Sequence, residues 1–436
     1  MLAELLSQLE KEAPPPSEAV QSGIVAAFES GWQSLDSATQ TLGCLLSLFA
    51  PAPIPQELLE QFVTKTDVEL DSEKLGKGCS ILVQQALLQH IDGETYSLHD
   101  LIRRLFQEKL TQSAQADNLK RGFCKVITTV AQQMPQSLTL KDIAVFSPTV
   151  PHVLEAVTTL KNWLSNEDLI WPFIGLSRFY TGQGAYEQAA HWYERCLTAA
   201  RDRLGESHPD VATSLMNLAL LYTSQGRASE AEPLYLQALG IRKRLLGESH
   251  LDVANSLNSL AVLYSSQKRY SKAEPLYTQA LEMRKQLLGE LHPDVALSLN
   301  NLAALYYSQG RYSEAESLYV QALEMRKQLL GELHPDVALS LNNLAALYNS
   351  QGRPSEAEPL YVQALEMRKQ LLGELHPDVA LSLNNLAALY NAQGRISEAE
   401  PLYVEALAMY ERLLGEAHPN TAIVRRNLDS LRNQKS

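Results

Sequence analysis

One phrase of sequence recurs with a strict period of 42 from about residue 204 to 433. A full copy, LGELHPDVALSLNNLAALYNSQGRPSEAEPLYVQALEMRKQL, fills residues 330–371. Its glycine falls at Gly205, Gly247, Gly289, Gly331, Gly373 and Gly415. A unit of this size cannot bury an apolar face by itself, so copies stack, and the period predicts a solenoid over more than half of the chain. A solenoid offers a long open surface instead of a closed pocket, which points to recognition and away from catalysis.

Within the unit from Gly331, Val337, Leu341, Leu344, Ala345 and Tyr348 share one apolar helix face. Pro335 opens that helix, Asp336 suits its positive end, and Gly352 reads as the glycine just past its C-terminus. A second helix is expected from Ser355, with Ala357, Leu360, Tyr361, Ala364 and Leu365 as its apolar face. The pairs Ser229/Glu232, Ser271/Glu274, Ser313/Glu316, Ser355/Glu358 and Ser397/Glu400 fit S-x-x-E capping boxes. Arg368 and Lys369 fall near the helix end, where cations complement the dipole.

Leu341, Leu344, Ala345, Tyr348, Ala357, Tyr361 and Ala364 resemble the tetratricopeptide signature of large, small and aromatic positions. The 42-residue length, with LG-x-x-HPDVA and LNNLA, is similar to the longer variant of kinesin light chains. The resemblance covers about residues 170–433 and implies an all-α fold: a right-handed superhelix of helix pairs with the first helix, A, on the concave side. A degenerate copy precedes Gly205, marked by Tyr180, Gly184, Ala189 and Tyr193. The last copy supplies only a polar helix A, with Arg425, Arg426, Asp429 and Arg432, as expected of a terminal cap. The units from Gly289 and Gly331 differ only at Tyr307/Asn349, Tyr312/Pro354 and Ser317/Pro359.

On helix A, Leu339, Asn342, Ala346 and Asn349 form a second stripe, which stacking turns into ladders. Asn258, Asn300, Asn342 and Asn384 make one, Leu297, Leu339 and Leu381 another, and Asn349 and Asn391 continue the stripe. An amide both donates and accepts, so such a ladder can pair with the backbone of an extended peptide. The resemblance implies this role for the first asparagine ladder. Asn301, Asn343 and Asn385 lie beside it and are expected to join neighbouring helices. Asparagine is a poor helix former, so hydrogen bonding between helices is the alternative for both sets.

Among 436 residues with a net charge of −13, no basic stripe stands out, which argues against a nucleic-acid partner. If the groove shares the sign of the chain, it favours a neutral or basic ligand. Cys44, Cys79, Cys124 and Cys196 are scattered and read as buried free thiols of a cytoplasmic protein. No secretory signal is seen, and the apolar run from Leu42 to Ile54 is short and broken by Pro51 and Pro53, so no membrane span is expected. His208, His250, His292, His334, His376 and His418 recur one per loop, too far apart for a shared metal, and capping or loop packing is expected of them. No metal and no cofactor are expected.

Residues 1–168 do not repeat. Helices on either side of Pro51–Pro55, a third over residues 73–91, a turn at Asp92–Gly93, a strand around Tyr96–Leu98 and a long helix give a winged-helix layout. Its third helix carries only Lys74 and Lys77, too little for DNA readout. Leu98-His99-Asp100 resembles the Met-His-Asp motif of NB-ARC signalling NTPases, with Leu in place of Met, and the segment VAAFESGWQSLD is similar to their lead-in. The resemblance covers about residues 20–112 and implies nucleotide sensing by His99 and Asp100. Yet no G-x-x-x-x-G-K-[ST] occurs, so this chain alone is not expected to hydrolyse ATP, and no other catalytic motif replaces it. The expected organisation is a helical remnant at 1–34, a winged-helix-like element at 35–112, a helical adaptor at 113–168 and the solenoid at 169–433. The expected function is a non-enzymatic interaction scaffold or sensor for a peptide or partner segment. The alternative is the regulatory part of a split NB-ARC switch, completing an ADP site on a partner NTPase chain.

Overall fold

The computed structural model describes Glu4 and residues 18–434, without residues 67, 69 and 417, and of residues 18–21 the backbone alone. Apart from Glu4, residues 1–17 of the expected N-terminal remnant lie outside the described residues. The chain divides into two compact units between Ala199 and Ala200.

In the first unit, α1 (Glu18–Ser34) and α2 (Ser37–Leu46) precede β1 (Ile54–Pro55), α3 (Gln56–Lys65) and α4 (Ser72–Gln84). A hairpin, β2 (Gln89–Asp92) and β3 (Thr95–Ser97), then leads to α5 (Asp100–Gln112). The strands pair antiparallel in the order β1-β3-β2, and the whole is a small winged-helix-like domain. Local chemistry sets the helix starts: Asp36 accepts from the Thr39 amide at 2.7 Å and Asp71 from Lys74 at 2.8 Å. Phe28, Trp32 and Phe106 cluster with centroids 5.5–5.8 Å apart, and Leu42, Leu59, Leu82 and Ile102 are fully buried. The helix expected to reach residue 91 stops at Gln84. Ala86 takes φ = +58°, and the amides of Leu87 and Leu88 both bond to Leu82 O, turning the chain into β2.

Next come α6 (Ala116–Gln133), α7 (Leu140–Phe146) and α8 (Val150–Thr158), followed by the first helix pair, α9 (Trp171–Gly182) and α10 (Tyr186–Leu204). A Cβ on Gly175 would lie 2.7 Å from Ala131 Cβ, so the absence of a side chain lets α9 seat against α6. On α8, His152 is fully buried: Nδ1 accepts from the Ala50 amide at 3.2 Å, and Nε2 donates to Pro53 O at 3.0 Å. Beside it, Arg103 donates to Phe49 O and pairs with Glu155 at 3.2 Å. These contacts tie α5 and α8 to the proline-rich loop after α2.

The second unit is an α-solenoid. Its A helices are α11 (Pro209–Ser224), α13 (Leu251–Ser266), α15 (Pro293–Ser308), α17 (Pro335–Ser350) and α19 (Pro377–Ala392). They alternate with B helices α12 (Ala228–Leu246), α14 (Tyr270–Leu288), α16 (Tyr312–Leu330), α18 (Pro354–Leu372) and α20 (Ile396–Leu414), and α21 (Pro419–Asn433) closes the unit. Each loop histidine is the N-cap of its A helix; His334 Nδ1, for example, accepts from the Asp336 amide at 3.1 Å. Gly226, Gly310, Gly352 and Gly394 end A helices at φ of 73–74°, where L side chains are strained; Lys268 takes that place in one repeat, at φ = +58°. From α13 to α19, each A helix packs against both its own B helix and the B helix before it. This sandwich buries Ala338, Ser340 and Leu347 as well as the expected Val337, Leu341, Leu344 and Ala345.

Two sequence expectations are corrected. Helix B starts one residue earlier than read, with an arginine as N-cap and no side-chain cap, so the S-x-x-E pairs are not capping boxes. Their glutamates instead cross to the next repeat. Glu232 accepts from Tyr264 Oη at 2.8 Å and from Arg269 at 2.6 Å, and Glu358 repeats this with Tyr390 and Arg395. Nor is complementing the helix dipole the main role of Arg368, near the helix end as expected: it is buried, and Nη1 donates to Ser382 Oγ at 2.7 Å and Asp378 O at 3.0 Å in the next A helix.

Candidate functional site

After its first-turn aspartate, each A helix from Pro209 to Ala392 carries no charged side chain. The charge of −13 therefore does not fall on the ladder stripe of these A helices, so the condition that the groove shares the sign of the chain is not met by the stripe itself. Leu297 is 38% exposed; Leu339 and Leu381, its equivalents, are half-buried.

The asparagine ladders are joined into pairs. Asn301 Nδ2 donates to Asn258 Oδ1 at 2.9 Å, Asn343 to Asn300 at 2.8 Å, Asn385 to Asn342 at 2.9 Å and Asn427 to Asn384 at 3.0 Å. Asn300 and Asn342 are only 7% and 6% exposed, while Asn258 and Asn384 are half-buried. Each first-ladder carbonyl oxygen is thus engaged by the following repeat, which leaves the amide NH2 as the group a ligand could meet; that of Asn384 also donates to Asn385 Oδ1 at 3.3 Å. Asn349 and Asn391 are half-buried, and Asn391 Oδ1 is sealed from solvent without a hydrogen-bond partner among the described residues.

Helix B contributes a set of arginines, of which the sequence reading singled out only Arg368 and gave it no partner. Arg242, Arg284, Arg326 and Arg368 each donate through Nη1 to a serine Oγ (Ser256, Ser298, Ser340, Ser382) at 2.6–2.9 Å and to an aspartate carbonyl in the same A helix. Arg284 is further satisfied: Nη2 donates to Asn255 Oδ1 at 2.7 Å. Burial disfavours the charged form of all four guanidiniums, and the first-turn aspartate beside each partly offsets this. The arginine column was visible in the repeats, yet its partners lie 10 and 14 residues away across a loop, where helix periodicity says nothing.

His99 and Asp100 belong to the first compact unit. His99 is half-buried and is the N-cap of α5, its Nδ1 accepting from the Leu101 amide at 3.2 Å; Asp100 is exposed. This is the role of the six repeat histidines, and capping accounts for the position of His99 without a nucleotide. All four cysteines are free and buried, and no described helix is long and apolar enough to cross a membrane.

Tandem antiparallel helix pairs, joined by side-chain ladders and closed by a lone A helix, define a solenoid of interaction repeats. The chain belongs to the tetratricopeptide repeat family: one family model of that description matches residues 168–244, 212–286, 252–328 and 294–370, and a second matches 379–420. No curated protein matches the sequence. Among solved structures it is similar to BtubC (BKLC) from P. vanneervenii, 28% identical over 55% of this chain and 93% of that one, with a TM-score of 0.42. A putative kinesin light chain from Podosopora anserina, with nearly identical repeats, is 28% identical over 47% of this chain and 97% of its own, at 0.40. A STAND signal-transduction ATPase with a tetratricopeptide sensor from Pyrococcus horikoshii is 15% identical over 99% of this chain and 64% of its own, at 0.42.

Proposed function

We propose that the chain is a cytoplasmic interaction scaffold or sensor whose A-helix face takes an extended peptide or partner segment, and that it acts by binding and not by catalysis. The observation that carries this reading is the uncharged A-helix face, where leucines at Leu297, Leu339 and Leu381 recur beside amide groups at one register. Such a face supplies apolar contact together with side-chain amide donors for the carbonyls of a peptide, without the charge that would select a strongly ionic partner. The free thiols support a reducing compartment.

The test avoids the asparagines, because they also hold neighbouring repeats together. The full chain and a Leu297→Ser/Leu339→Ser/Leu381→Ser variant are used as baits in lysate of the source cell, after both show the same helix content and melting. A partner held by the parent and lost by the variant supports the groove. Equal retention by both overturns it.

A further inference from the structure

The ladder leucines stand where a neighbouring repeat places a hydrogen-bond acceptor. Asn255, Leu297 and Leu339 occupy one position in three successive A helices, each 42 residues apart. Asn255 Oδ1 accepts from Arg284 Nη2 at 2.7 Å. The equivalent arginines facing Leu297 and Leu339 are Arg326 and Arg368, whose Nη1 contacts reproduce those of Arg284: Ser340 and Ser382 at 2.7 Å, Asp336 O at 3.1 Å and Asp378 O at 3.0 Å. Their guanidiniums therefore aim the same way, but a leucine cannot accept. Neither Nη2 has a hydrogen-bond partner or an ion pair among the described residues. The two side chains are only 3% and 4% exposed, yet their Nη2 atoms are not among those sealed from solvent, unlike Arg284 Nε, which is sealed and unpaired.

An Nη2 that lacks a protein acceptor but is open to solvent exchanges water for an acceptor brought by a ligand, and the bond it forms is charge-assisted. We propose that Arg326 and Arg368 are two adjacent subsites of the ladder face that bind amide oxygens of an uncharged extended polypeptide segment, each oxygen taking the place that Asn255 Oδ1 takes on Arg284. An amide oxygen fits better than a carboxylate. Asn255 shows the site accepting one, and the carboxylates of Asp336 and Asp378 already lie close enough to offset the guanidinium charge and would repel another anion. Leu297 and Leu339 then form an apolar rim on which a side chain of the segment rests.

The inference rests on the proposed function, since the ladder face must receive a polypeptide. It is tested on the full chain with 15N-labelled arginine side chains by NMR. The probe is N-acetyl-leucine methylamide, with sodium acetate as the carboxylate control. The capped leucine is expected to shift the Nη signals of Arg326 and Arg368 saturably and to leave Arg284 unmoved. Leu297→Asn/Leu339→Asn, which supplies internal acceptors, is expected to weaken this response roughly tenfold or more. Asn255→Leu is expected to confer the response on Arg284. The proposal is overturned if acetate acts and the capped leucine does not, if the asparagine variant responds like the parent, or if Arg326 and Arg368 stay unmoved while Arg284 shifts. Loss of partner capture in the triple serine variant with silent guanidiniums leaves the groove standing and sinks this inference. A guanidinium response with unchanged capture supports the subsites and sinks the groove reading alone.

Discussion

The two compact units hold themselves together by opposite strategies. In the first, buried polar contacts are made once among the described residues: His152 reaches Ala50 and Pro53, and Arg103 reaches Phe49 and Glu155. In the second, few contacts are made once. The arginine–serine bond, the asparagine pair, the glutamate–tyrosine–arginine cluster and the histidine cap each recur every 42 residues. A contact made once is a single point of failure. A contact made four times spreads its cost, and its variations across repeats show what each position tolerates.

The largest expected effect tests the first half of that contrast. His152→Ala leaves the Ala50 amide and Pro53 carbonyl without partners and opens a cavity, for a loss of about 3–5 kcal/mol. Hydrogen exchange at Ala50 against amides of α17 in the same full-length sample reads it: faster exchange is expected at Ala50 only. The same residue gives a pH dependence. Burial lowers the His152 pKa from 6.5 to about 4, so as the pH falls from 6.5 the unfolded chain binds a proton that the folded one refuses. Stability of the first unit should fall through that window by up to about 3 kcal/mol and level off below pH 4. Urea melts of its tryptophan fluorescence at pH 7 and 5, with His152→Ala as control, check this. A parent whose midpoint does not move more than that of the variant breaks the argument.

The repeats offer a sharper form of the comparison. Tyr410 and Val424 stand where Arg368 and Ser382 stand one repeat earlier, and both are buried. Arg326→Tyr alone should cost about 2 kcal/mol by leaving the buried Ser340 hydroxyl without its guanidinium partner, and adding Ser340→Val should recover most of it. Additive losses in the double-mutant cycle would show that the pair is not exchangeable. Asn343→Ala should cost about 1 kcal/mol through the lost bond to Asn300. Smallest of all, Lys268→Gly should stabilise by up to about 1 kcal/mol, because the equivalent positions in other repeats are glycines at the same positive φ. A lowered melting temperature there would count against strain at Lys268.

Helix pairs, loop glycines and histidine caps were legible because the evidence for each lies within one helical turn and is repeated. The S-x-x-E pairs misled for the same reason. A local rule explained them, whereas Glu232 bonds to Tyr264 and Arg269, 32 and 37 residues on. The buried role of Arg368 was hidden because only its place near a helix end was visible. His152 was beyond reach of any pattern, its partners being about a hundred residues away and unrepeated. The difference between Asn255 and Leu297 was plain in the sequence, but it acquires meaning only once Arg284 is seen to aim at one of them.

The matching of consecutive interfaces has a consequence for how the gene can change. Excising residues 289–330 would join Leu288 to Gly331 and bring Glu274 to Arg353, Arg284 to Ser340 and Asn258 to Asn343, the same chemical pairs as before. Unequal recombination between copies therefore yields shorter or longer proteins whose joints already fit, and the number of rungs presented to a partner becomes a heritable quantity that can drift or be selected without redesign of any single joint.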